Sequence, residues 1–164
     1  MKPTMMKPTM KIEEIMAESP ACCTRDDFVQ VAASIMERFD TGIVPVTDRT
    51  GAPGKLVGVV TDRDLCLRVL AEGRDPNQVR VGDVMSTKLT TCKPSEKIEQ
   101  ALEHMARAQV RRLPVVNRDF EAVGMLTLGD IVRHKAASEA DFCKTMRAIY
   151  AAAKIAHVRT RKAA

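Results

Sequence analysis

Gly58-Val59-Val60-Thr61-Asp62-Arg63-Asp64 and Gly124-Met125-Leu126-Thr127-Leu128-Gly129-Asp130 are the stretches whose reading decides the fold. Each runs glycine, two apolar residues, then threonine with an aspartate three positions on. A short apolar run ending in Thr-x-x-Asp predicts a strand feeding directly into the start of a helix. Thr-x-x-Asp is also a capping box, in which the threonine hydroxyl takes a free helix amide and the acid reaches back. Capping accounts for one such stretch. Two copies in matching surroundings call for a comparison of everything around them.

Working outward, the surroundings match in order. Met16 and Met85, Ala32 and Ala101, Met36 and Met105, and Pro45 and Pro114 are each 69 positions apart. Gly58 and Gly124, Thr61 and Thr127, and Asp64 and Asp130 are each 66 apart. The change from 69 to 66 locates a loss of three residues in the loop before the last strand. An internal repeat of this length is one supersecondary unit written twice.

The unit reads strand–helix–strand–strand–helix. Lys11 to Met16 forms a short helical turn, Ser19-Pro20 breaks it, and Ala21 to Cys23 is a brief strand. Phe28, Val31, Ala32, Ile35, Met36 and Phe39 fall at helical spacing and predict one buried face. Ile43 to Val46 and Leu56 to Val60 read as strands, and residues 62–72 as a helix stopped by Gly73. In the second copy Val81 to Met85 repeats the turn and Leu89 to Cys92 the first strand. Ile98, Ala101, Leu102 and Met105 give the second helical face, with Ser95 as its expected N-cap. Leu113 to Val116 and Val123 to Thr127 supply the paired strands, and Ile131 continues a last short helix. One unit of about 60 residues is too small to bury both faces of its sheet. Two copies packed sheet to sheet about a pseudo-two-fold axis share one core, an α+β arrangement that puts both Thr-x-x-Asp junctions in clefts between the copies.

These features divide the chain into a tail over 1–10, repeats over 11–75 and 76–136, and an extension over 137–164. The tail writes Met-Lys-Pro-Thr-Met twice and has no apolar face, so flexibility is expected. In the extension, Ser138-x-x-Asp141 caps a helix over 138–153 with a stripe of Phe142, Met146, Ile149, Tyr150 and Ala153. A loose basic tail follows.

Composition removes several classes of function. The net charge is +5, but residues 136–164 carry +4 of it, so the body is nearly neutral. There is no tryptophan and aromatics make up 3%, which leaves no stacking platform for single-stranded nucleic acid. The five cysteines are odd in number and lack C-x-x-C spacing, against both a disulfide framework and a zinc site. His104, His134 and His157 are scattered, so no metal is required. No apolar run is long enough to cross a membrane, and no secretory leader is evident. The expectation is a reduced, cytoplasmic protein.

In Ile15-Met16, Ala32 to Met36, Val44-Pro45-Val46 and Gly58 to Asp64, and again in Asp83 to Met85, Ala101 to Met105, Leu113 to Val116 and Gly124 to Asp130, the sequence resembles a tandem pair of cystathionine-β-synthase (CBS) domains, a Bateman module. The resemblance covers about residues 11–136. It implies binding of an adenosine-containing ligand between the repeats: AMP, ADP or ATP first, with NAD or S-adenosylmethionine as further candidates. By the family's pattern, one site uses Val59, Thr61 and Asp64, completed by Thr90, Arg111 and Arg112 of the second repeat. The other uses Met125, Thr127 and Asp130 with Ala21, Gly42 and Ile43 across the cleft, and Arg63 as a phosphate contact there. The chemistry suits these roles: a carboxylate accepts hydrogen bonds from a ribose diol, and guanidinium groups fork onto phosphate. Since Gly42-Ile43 stands where the second repeat has Arg111-Arg112, the Thr61/Asp64 site is expected to bind phosphate better.

No convergent nucleophile, acid–base set or metal cluster marks an enzyme. The expectation is a free-standing regulatory sensor of adenine nucleotides, homodimeric, acting on a regulated protein the chain does not name. Two alternatives stay open. One is an interaction module whose Thr-x-x-Asp pairs only cap helices. The other is a DNA-associated regulator working through the tail from Lys154 to Lys162, although the nearly neutral body argues against nucleic acid.

Overall fold

A computed structural model describes residues 10–50 and 54–151. The duplicated pentamer, apart from Met10, and the basic tail beyond Ala151 lie outside the described residues. A 3-10 turn over Ile12–Glu14 leads into β1 (Ala17–Glu18) and β2 (Cys23–Thr24), followed by α1 (Val29–Arg38), β3 (Ile43–Thr47) and β4 (Leu56–Thr61). Helix α2 (Asp62–Leu65) continues as one π-helical stretch, Cys66–Leu70. The second half holds α3 (Val81–Val84), α4 (Ile98–Ala108), β5 (Arg112–Val116), β6 (Ala122–Thr127) and α5 (Leu128–Arg133), and α6 (Glu139–Ala151) closes the described chain. Among the described residues no helix is long and apolar enough to cross a membrane.

Two three-stranded sheets form, in the orders β2-β3-β4 and β1-β6-β5. The second order is informative, because β1 belongs to the start of the first repeat yet pairs with the last strand of the second, Ala17 opposite Met125. The mirror contact is the bridge between Ser86 and Val59. Further pairs obey the same exchange. Ile98 N–H donates to Met10 C=O and Val29 N–H to Val79 C=O, at 3.1 and 2.9 Å. Each repeat's leading turn therefore packs on the other repeat's body. Ile12 and Ile15 are buried with Ile98, Leu102, Met105, Leu113 and Leu126, while Val81 and Val84 are buried with Val29, Ala32, Val44 and Val60. Bodies and turns are laced together reciprocally, which a simple side-by-side docking of two units does not give.

The pseudo-two-fold axis runs between Lys55 and Glu121, which bridge each other. On either side Leu56 N–H donates to Phe120 C=O at 2.9 Å and Ala122 N–H to Gly54 C=O at 3.1 Å. Leu56, Val116 and Ala122 make a small third core there. The glycines that open the two defining stretches sit at equivalent tight spots. A Cβ at Gly58 would lie 2.7 Å from Met85 Sδ, and one at Gly124 2.6 Å from Met16 Sδ. The space of each glycine is filled by a methionine from the opposite leading turn.

Several local expectations need correction. On α1 the buried side is Val29, Ala32 and Met36, whereas Val31 and Phe39 are 42% and 56% exposed. One sheet covers only the middle of the periodic stripe, and its flanks stay open. Helix α4 has Lys97 as its N-cap residue, two positions past Ser95, so Ser95 does not cap it, and Met10 C=O takes the first helical amide. The first strand of the second repeat is reduced to a single bridge between Cys92 and Val115. Gly73 does stop its helix in the left-handed region, at φ +66°, a conformation glycine adopts without penalty. Ser138 Oγ accepts the Asp141 amide at 3.1 Å and caps α6 as expected. Helix α6 lies against α4, burying Thr145 and Ile149.

Candidate functional site

Both Thr-x-x-Asp junctions fold into complete capping boxes. Thr61 is the N-cap of α2: its Oγ accepts the Asp64 amide at 3.2 Å, and Asp64 Oδ2 accepts from Thr61 N–H at 3.0 Å and Thr61 O–H at 2.6 Å. Thr127 and Asp130 repeat this at 3.1, 2.8 and 2.7 Å. A carboxylate held this way has one oxygen committed to the cap and one left over. Asp64 Oδ1 lies 3.6 Å from Arg68 Nε, and Arg68 is itself anchored by donating to Val84 C=O at 2.6 Å. Asp130 Oδ1 is 3.0 Å from Arg133 Nη1 on a largely exposed side chain.

In front of the first junction lies a cavity of about 870 Å³, within the range of small-molecule sites. The first repeat contributes Ile43, Val59, Thr61, Asp62, Arg63 and Asp64 to its walls. From the second half come Ser86, Lys88, Thr90, His104, Arg107, Arg111, Arg112 and Pro114, among others. All six residues expected at the first site therefore face one space. Arg63 and Ile43, expected at the second site, line this cavity as well. Arg63 leaves α2 one position before Asp64, and Ile43 pairs with Thr61 across the sheet, so chain geometry holds both beside the first junction. Gly42 sits at the same edge, where a Cβ would lie 2.6 Å from Asp62 Oδ2 and 3.4 Å from Arg112 Nη2. Ala21, Met125, Thr127 and Asp130 do not line the cavity. The last three lie at the pseudo-symmetric junction, where Met125 pairs with Ala17.

The sequence reading missed Lys88, His104 and Arg107. Arg107 and His104 sit three apart on α4, the spacing that shares a helix face. That pattern is visible in the sequence once the helix is placed, whereas Lys88 lies in an irregular segment with no periodic signal. His104 Nε2 is 3.3 Å from Glu96 Oε2, a buried oxygen without a hydrogen-bond partner. Arg111 Nη1 donates to Tyr150 Oη of α6 at 3.3 Å, so the C-terminal helix touches the rim.

The thiols are poorly suited to chemistry here. Burial pushes Cys23 and Cys92, equivalent positions of the two repeats, up to about 12, helped by the nearby charges of Asp27 and Glu96 respectively. Burial alone lifts Cys22 to about 11. Thiols held so far above neutral pH supply almost no thiolate, the reactive form. Among the described residues no group of three or more His, Cys, Asp or Glu side chains is placed to hold a metal ion.

Two interlaced β-α-β-β-α halves about a pseudo-two-fold axis, with a cleft between them at a strand-to-helix junction, define a paired-repeat module. The chain belongs to the CBS domain family, whose pattern matches residues 12–71 and again 81–137. It is 37% identical over 128 residues to the CBS domain-containing protein YhcV of Bacillus subtilis, covering 78% of this chain and 87% of that one. The crystal structure of Hypoxic Response Protein I with two coordinated zinc ions superposes with a TM-score of 0.67 at 31% identity, covering 76% and 98% of the two chains. The CBS domain pair of protein MJ0100, solved in complex with 5′-methylthioadenosine and S-adenosyl-L-methionine, shares the fold with a TM-score of 0.68 at 23% identity, over 78% of this chain and 97% of that one.

Proposed function

We propose that this protein is a regulatory module that binds an adenine nucleotide in the cleft between its two repeats. The observation that carries the reading is the convergence in one cavity of Thr61 and Asp64 from one repeat with Arg111 and Arg112 from the other. Asp64 Oδ1 takes the ribose hydroxyls, its other oxygen being fixed by the cap. The guanidinium groups of Arg111 and Arg112 take phosphate, while Val59, Thr90 and Pro114 flank the base. Because the walls come from both halves, a ligand that fills the cleft favours whichever relative geometry of the halves it fits best. A partner protein that distinguishes those geometries reads the ligand, within the limit set by the ligand's differential affinity. The relative MJ0100, a pair of the same fold, was solved with adenosyl ligands, which agrees with the ligand class.

The module acts as a homodimer in this reading. The exposed apolar side of α1, with Val31 and Phe39, and exposed Leu67 and Leu70 after α2 supply surface that a second copy would cover. A second functional reading, an interaction module without ligand, draws on the completeness of both capping boxes, since each Thr-x-x-Asp pair already has a structural role.

Thermal unfolding against AMP, ADP, ATP, NAD and S-adenosylmethionine separates the two. A ligand at 100 times its Kd stabilises the fold by about 2.7 kcal/mol, so at least one adenine nucleotide raises the midpoint by several degrees. A panel without any shift at millimolar concentration leaves the interaction module as the better account.

A further inference from the structure

Two cations on the cleft walls are explained by neither duplicated motif. Lys88 comes from the segment between α3 and α4, and Arg107 from the last turn of α4. With Arg63, Arg111 and Arg112 they make five cations around a space whose only carboxylates among the described residues are Asp62 and Asp64, a net +3 with His104 left out of the count. Among the described residues, Arg63, Lys88, Arg107 and Arg112 take part in no salt bridge. Arg107 gains something from the negative end of the α4 dipole, but Lys88 and Arg63 stand on other walls and do not. Like charges focused in a cleft repel one another and create a potential that draws in anions.

The quantity of charge points to the kind of anion. A phosphate monoester carries about −2 at neutral pH, fewer charges than the five cations on these walls, and each added phosphate brings further negative charge to cations that a single phosphate leaves unmatched. We propose that Lys88 and Arg107 form a polyphosphate subsite, so that the cleft ranks adenosine phosphates by phosphate number, triphosphate above diphosphate above monophosphate. This rests on the adenine-nucleotide reading and sharpens it. The pseudo-equivalent positions carry no such set: Ser19 replaces Lys88, and Gly42, Ile43 and Gly129 replace Arg111, Arg112 and Arg63. Arg38 alone matches Arg107, and its guanidinium lies 5.5 Å from the centre of the Phe39 ring. Ranking by phosphate number therefore belongs to the first cleft.

Calorimetric titration of the full chain with AMP, ADP and ATP, at fixed ionic strength without divalent cations, tests this. Affinity rises along the series, with ATP binding on the order of 10- to 100-fold more tightly than AMP, as one or two added charge-assisted contacts provide. In the Lys88→Gln/Arg107→Gln double variant ATP loses much more affinity than AMP, so that the ATP-to-AMP ratio collapses to within a few-fold. Equal affinities for AMP and ATP in the wild type overturn the proposal without need of a variant, and so does a double variant, melting as the wild type does, that keeps the full ratio. Failure of all three nucleotides to bind overturns the nucleotide reading along with it.

Discussion

The Thr61/Asp64 and Thr127/Asp130 junctions agree in their capping distances to within 0.2 Å, yet their surroundings differ sharply. Around the first stand five cations and a cavity. At the matching positions around the second there is one arginine, stacked near its own neighbouring ring. The cap needs only the threonine, the aspartate and the free amides of a helix start, so each repeat preserves it independently of the other. What the junction binds depends on the side chains that face it from across the interface, and these have diverged. In the proposed function, the duplicated motif sets where a ligand sits, and the unduplicated cations select the first cleft for its phosphate.

That contrast can be broken or sharpened by mutation. The largest effect is expected from the reciprocal lacing. Ile12→Ala removes a fully buried side chain and should cost about 2–5 kcal/mol in urea unfolding. Because Ile12 packs on the second body, hydrogen exchange should accelerate first in α4, β5 and β6. Acceleration confined to α1 and β3 would mean that the turn belongs to its own repeat. Next, Thr61→Ala and Thr127→Ala should each destabilise the ligand-free protein by about 1 kcal/mol, the usual worth of a cap. Their effects part when ADP is present, where only Thr61→Ala should weaken binding, and equal weakening by both would erase the difference between the clefts. The smallest effect concerns thiols. Cys66 and Cys143 are exposed and should react rapidly with a thiol reagent at pH 8. Cys23 and Cys92, whose burial-raised pKa near 12 suppresses thiolate well above that pH, should both remain slow until unfolding. A fast Cys92 beside a slow Cys23 would show that the two bodies differ in opening.

Much of this architecture was legible in the amino-acid order. The offsets of 69 and 66 identify equivalent positions, and the bridges Ala17 to Met125 and Ser86 to Val59 obey them. The resemblance to CBS pairs, rather than the offsets, named Val59, Thr61, Asp64, Thr90, Arg111 and Arg112 together, and all six line one cavity. The exchange of leading turns was not legible, since Ile12 and Val81 read as equally apolar whichever body they cover. Periodicity also overstated the buried face of α1, because a stripe of apolar residues does not say how wide the surface beneath it is. Lys88 escaped notice because irregular segments carry no period, and Arg63 was assigned across the interface although its helix start holds it next to Asp64.

The central claim is that the clefts are unequal and that the first takes the nucleotide phosphate. Calorimetric titration with ADP on the wild type, Arg112→Ala and Asp130→Asn tests it most directly. The account predicts one strong site per chain, weakened about tenfold or more by Arg112→Ala, the loss of one charge-assisted contact, and unchanged by Asp130→Asn. Two sites of equal affinity, or a strong site that Arg112→Ala leaves intact, would contradict it.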